Sequence, residues 1–73
     1  MTQKEMVLQY IRESGSITRL NAAYDLGIFE LSARICELKR SGYQFNTVTE
    51  TARNRYGKKF SYTRYSLAGE RNE

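Results

Sequence analysis

Histidine is absent from this chain, and cysteine occurs once, at Cys36. Without histidine there is no plausible zinc ligand set and no base to partner a nucleophile, and no glycine-rich phosphate loop is written in the sequence. The carboxylates are scattered along helical patterns, so neither an enzyme nor a metal or cofactor site is expected. One cysteine cannot close an internal disulfide, which fits a reducing, cytoplasmic setting, and Cys36 reads as a small helix residue. Long apolar runs are missing too. Nothing approaches the roughly 18–20 residues needed to cross a bilayer, and the polar MTQKE start lacks the apolar region of a secretory signal. A protein with no membrane association, kept inside the cell, is expected. Repeats, low-complexity tracts and linkers are also lacking, so the 73 residues describe one small domain. A core this small supplies only about 3–5 kcal/mol, which leaves room for a homodimer or a partner protein to add stability.

What is present is positive charge, concentrated in one place. Of the 12 basic and 8 acidic residues, residues 1–42 hold six basic and five acidic, residues 43–67 five basic and one acidic, and residues 68–73 one basic and two acidic. The excess lies in a segment rich in threonine and tyrosine. A local positive field on an extended element favours a polyanion such as nucleic acid.

The chain before Gly42 divides into three helical patterns, closed by Gly15, Gly27 and Gly42. Thr2 and Glu5 form a T-x-x-E capping box that starts the first, with Met6, Val7, Tyr10 and Ile11 facing inward. Ser16-Ile17-Thr18 reads as a short extended piece. Thr18 caps a second helix of about two turns, with Leu20, Ala23, Tyr24 and Leu26 near one face, while small Ala22 and Ala23 allow a neighbour to approach closely. The third helix is expected from Phe29 to Ser41, with Leu31, Ile35 and Leu38 as its inward stripe. Phe29 projects outward by the same count. The step from Gly27 to Ile35 is short, so either the turn between the second and third helices is tight or the helix phase differs.

Beyond Gly42, Tyr43 and Phe45 alternate with Gln44 and lead into Thr47-Val48-Thr49-Glu50-Thr51, a first strand. The reversal is expected between Asn54 and Gly57. The second strand runs from Phe60 to Leu67, with Thr63, Tyr65 and Leu67 toward the core. The folded domain is thus expected over 1–67, with 68–73 as a frayed tail.

Two short helices joined by a tight turn, with a basic hairpin attached, make an α+β winged helix the expected fold. The stretch Leu26–Tyr43, written LGI-x-x-LSARI-x-ELKRSGY, with NRYGKK at Asn54–Lys59 and TRYSL at Thr63–Leu67, resembles the small winged helix-turn-helix domains of bacteriophages and prophages. The resemblance implies a small transcriptional regulator of double-stranded DNA, working in the cytoplasm of a bacterial host on its nucleoid. An architectural or excisionase-like DNA-bending factor uses the same scaffold. A protein-interaction module, with Phe29 and the tyrosine-rich hairpin as its surface, is the reading of another class.

The expected DNA contacts come from two elements. On the third helix they are Arg34 and Arg40, whose guanidinium groups grip guanine or phosphate bidentately, and Ser32, a phosphate donor near the helix start. The bland alternatives are solvation or, for Arg34, pairing with Glu37 or Glu30. On the hairpin they are Arg53, Arg55, Lys58 and Lys59, against the alternative of charges that guard a strand edge. Tyr56 is placed to stack on a sugar or base, or to pack on its own hairpin.

Overall fold

The computed structural model describes residues 1–69. Helix α1 (Gln3–Ser14) is followed by strand β1 (Ile17–Thr18) and helix α2 (Arg19–Asn21), which continues as a π-helical segment (Ala22–Leu26). Helix α3 (Leu31–Arg40) and the hairpin strands β2 (Gln44–Arg53) and β3 (Lys59–Gly69) complete the order. The expected sequence of helix, short strand, helix, helix and hairpin is the one observed. One sheet runs β1-β3-β2, antiparallel throughout, with Ile17 opposite Tyr65 and Thr18 opposite Arg64.

Local chemistry explains where the elements start. The Thr2 hydroxyl accepts from the Glu5 N–H at 3.2 Å, and the Glu5 carboxylate accepts from the Thr2 N–H at 3.2 Å, so two orphan donors of α1 are satisfied reciprocally. Those bonds hold the Glu5 carboxyl below the usual carboxylate range. A second box caps α2, where the Thr18 hydroxyl accepts from the Asn21 N–H at 3.1 Å and Asn21 Oδ1 accepts from the Thr18 N–H at 3.0 Å.

The core is a single cluster built from Val7, Leu8 and Ile11 of α1, Ile17 of β1, Ala22, Ile28, and Leu31, Ile35 and Leu38 of α3. Tyr43, Phe45, Tyr65 and Leu67 lie over it from the hairpin base. The inward stripe of α3 is the expected one, and so is the choice of the Tyr65 and Leu67 face of β3. Leu8 of α1 joins the core beside the expected Val7 and Ile11, whereas Met6 and Tyr10 are only partly buried.

The second helix corrects the sequence reading. Leu20 is 45% exposed and Tyr24 84%, while Ala22 is completely buried, so of the expected inward face only Ala23 and Leu26 are half-buried, Leu26 against the core. From Ala22 onward the wider winding of the π segment, in which each bond spans one more residue, shifts the phase of the side chains and turns Tyr24 outward. Gly27 closes the segment at φ 70, and the Ile28 N–H then donates to the Ala22 carbonyl at 2.9 Å, which carries Ile28 straight into the core. The Tyr10 hydroxyl donates to Asp25 Oδ2 at 2.5 Å, which fastens the π segment to α1 and, with partial burial, raises the phenol above its ordinary value.

Two boundaries also move. Helix α3 begins at Leu31 rather than Phe29, with Glu30 as its N-cap in a non-helical conformation. Strand β3 does not stop at Leu67; Ala68 and Gly69 belong to it, with Gly69 opposite Gln44 across a register shift. The rest of the expected tail, 70–73, lies outside the described residues.

Candidate nucleic-acid interface

Because Leu31, Ile35 and Leu38 turn inward, the opposite face of α3 offers Ser32, Cys36, Lys39 and Arg40 to solvent. Ser32 sits in the first turn and lines a groove facing β3. Arg40 is the last residue of α3, about 12 Å further along the axis and at the end from which the chain leaves for β2. Its side chain has no hydrogen-bond or ion-pair partner among the described residues.

Arg34 goes elsewhere. Its Nη1 donates to Gln3 Oε1 at 2.9 Å and its Nη2 to Glu37 Oε2 at 3.3 Å, while Nε lies 2.8 Å from Glu37 Oε1. The guanidinium therefore clamps α3 to the start of α1, and the pairing alternative with Glu37 is the arrangement present. Sequence spacing places Arg34 at the edge of the inward stripe but cannot show that α1 begins beside it.

The hairpin carries the other candidates on a stiff tip. Asn54 Oδ1 accepts from the Tyr56 N–H at 2.9 Å and the Lys58 N–H at 3.1 Å, the Asn54 N–H donates to the Lys58 carbonyl at 3.0 Å, and Gly57 takes φ 77. Positive φ is a conformation in which any Cβ is strained, so glycine is required there. Arg53 Nη1 donates to the Gly57 carbonyl at 2.9 Å, which spends one donor on the turn but leaves its charge at the tip. Arg55, Lys58, Lys59 and Tyr56 are exposed, Tyr56 to 85%, so its ring is not packed on its own hairpin.

Electrostatics sharpen this picture. Glu50, the one acid of residues 43–67, is taken up on the outer face by Arg64, whose Nε donates to Glu50 Oε1 at 2.9 Å while Nη1 donates to Ser16 Oγ at 2.9 Å. The Tyr62 hydroxyl, and after it Arg64, holds the Glu50 carboxyl below the usual carboxylate range. With that acid neutralised near the base, the charges of Arg53, Arg55, Lys58 and Lys59 stand uncompensated at the end of a body measuring 48 × 22 × 21 Å.

A family model described as a winged helix-turn-helix domain matches residues 2–70. The chain belongs to the winged helix-turn-helix family. No curated protein matches the chain significantly, and neither does any solved structure. In winged-helix terms, α3 is the third helix of the core and the β2–β3 hairpin is the wing. Among the described residues no helix is long and apolar enough to cross a membrane, and no group of three histidine, cysteine or acidic side chains is placed to hold a metal.

The winged-helix geometry brings Ser32 to the wing side of α3 and gathers the four wing cations at the tip, while Arg40 stands apart and Arg34 is engaged by α1. One cation escapes sequence reasoning. Arg19 opens α2 and lies in the groove with Ser32, its side chain without a hydrogen-bond or ion-pair partner among the described residues. The signal available was the Thr18 cap, which fixes Arg19 as the first helical residue.

Asn54→Ala tests how far the wing tip depends on its turn. Two backbone donors lose their acceptor, and the expected cost is about 1 kcal/mol for each bond, felt locally. Amide exchange at Tyr56 and Lys58 should accelerate while the melting temperature hardly moves; unchanged exchange at both amides would show that Asn54 does not order the tip.

Proposed function

We propose that the protein binds double-stranded DNA as a small transcriptional regulator, with α3 in the major groove and the wing on phosphates and the minor groove. The observation that carries this reading is the set of four cations at the wing tip, held on an ordered turn and left without an acidic partner when Glu50 pairs with Arg64. A polyanion is the partner such a field attracts, and membership of the winged helix-turn-helix family points to DNA. Ser32, Arg40, Arg53, Arg55, Tyr56, Lys58 and Lys59 are the contacts in this reading, with Arg34 acting through the placement of α3. The setting is the cytoplasm of a bacterial cell, where the protein is nucleoid-associated when bound.

The test removes charge without opening a cavity. Replacing Lys58 and Lys59 with alanine should leave folding unchanged and weaken binding to all duplexes alike, with the salt slope smaller by roughly one for each lost phosphate contact. If the double variant binds both a selected and a scrambled duplex like wild type, the wing is not a DNA contact. Reach favours a second reading, an architectural role in which the wing spans to the minor groove and bends the duplex. A circular-permutation bending assay on the selected site separates the two.

A further inference from the structure

We infer that Phe29 is a base-reading residue that makes an apolar contact with thymine methyl groups in the major groove, beside a phosphate held by Arg19. The inference rests on the DNA-binding reading above and goes past it by naming the chemistry that is read.

Phe29 is 79% exposed although its neighbours Ile28 and Leu31 are 1% and 2% exposed. The core is closed beneath it, so the ring does no packing work, and a large aromatic left in water is the informative kind of exposure. It lies in the link between Gly27 and α3, just ahead of the first turn. In a helix-turn-helix the N-terminal residues of the third helix are those that meet base edges.

Around it opens a groove of about 650 Å³, walled on one side by Leu20, Phe29 and Ala33 and on the other by Phe60 and Thr63 of β3. It stays open because β1 pairs with β3 only at Arg64 and Tyr65, so β1 does not cover Phe60–Thr63. Exposed Leu20 and Phe29 on their own would suit a protein partner equally well; charge decides between them. Arg19 lines the groove, and Glu30 is its one carboxylate among the described residues. Arg53 and Lys59 stand opposite each other in the register, on the same face as Ser61 and Thr63, which also line it. Apolar contact framed by cations fits a polyanion whose base edges carry an apolar group, and thymine is the base that shows a methyl in the major groove.

The experiment starts from a site selected out of a random duplex pool and replaces its thymines one at a time with deoxyuridine, which removes only the methyl. Wild-type protein is expected to lose about three- to fivefold in affinity at one or two positions, the worth of one buried methyl. Phe29→Ser should bind the thymine and uracil forms alike at those positions, and Phe29→Leu should keep part of the preference. Because Phe29 is exposed, both variants should melt like wild type. A selected site without thymine, equal binding by wild type at every position, or the same loss in Phe29→Ser overturns the inference and leaves DNA binding standing. Failure to bind any duplex at low salt overturns both. If Phe29→Ser abolishes a self-association seen by sedimentation and leaves every thymine preference intact, the patch is a protein contact and the inference falls.

Discussion

Raising monovalent salt from about 50 to about 200 mM is expected to weaken binding to duplex DNA by roughly 250- to 1,000-fold. The magnitude comes from the charges that are placed to meet phosphate: the wing set of Arg53, Arg55, Lys58 and Lys59, with Arg19 in the groove and Arg40 at the end of α3. About four to six phosphate contacts release enough counterions to give a slope of log affinity against log salt of roughly −4 to −5. Arg64 is left out of that count because Glu50 and Ser16 hold it on the outer face. The measurement is a fluorescence-anisotropy titration at several salt concentrations with a duplex of arbitrary sequence. A flat response would remove electrostatic binding altogether, whereas a slope near −1 would mean that the wing stays off the backbone.

Ile35→Ala is expected to be the most damaging single change to the fold, at about 2–5 kcal/mol. Ile35 is 2% exposed at the middle of the α3 stripe, flanked by Leu31 and Leu38, which are buried as deeply. Truncation there leaves a cavity between α3 and the rest of the core that a ten-residue helix cannot collapse into. The loss is comparable to the whole stability of about 3–5 kcal/mol expected of so small a core. A large part of the variant should therefore be unfolded at 25 °C, read as a urea midpoint near zero. An unfolding free energy within about 0.5 kcal/mol of wild type would show that α3 is not packed along this stripe.

The legible parts of this fold are those written in neighbouring residues. Thr2 and Glu5 announce a helix because each bonds to the other's backbone, and Asn54 and Gly57 announce a turn because one supplies an acceptor and the other a positive φ. The burial of Leu31, Ile35 and Leu38 follows from a period that holds over the whole of α3. Where the period itself changes, spacing misleads: Tyr24 is read inward because nothing in AAYDL signals π winding, and the bond that fastens this segment, Tyr10 to Asp25, comes from another helix. Arg34 illustrates the same limit at the candidate site. Its partners include Gln3, 31 residues away in the chain. The four wing cations were readable as a group since the hairpin keeps them close in sequence, whereas Arg19 and the groove depend on how α2 meets β3.

The smallest strand has a consequence for how the molecule comes into being. Ile17 and Thr18 find their partners at Tyr65 and Arg64, and the Arg64–Ser16 bond joins residues 48 apart, so the sheet is closed by almost the last residues of the described chain. Closing so long a loop is costly before any contact rewards it, while helices form quickly and locally. A nascent chain halted at the wing tip has its three helical segments but neither Tyr65 nor Leu67 to cover Ile17 and its neighbours. Such a fragment exposes its core and invites proteolysis, so interrupted synthesis should leave few wing-less copies able to compete for DNA.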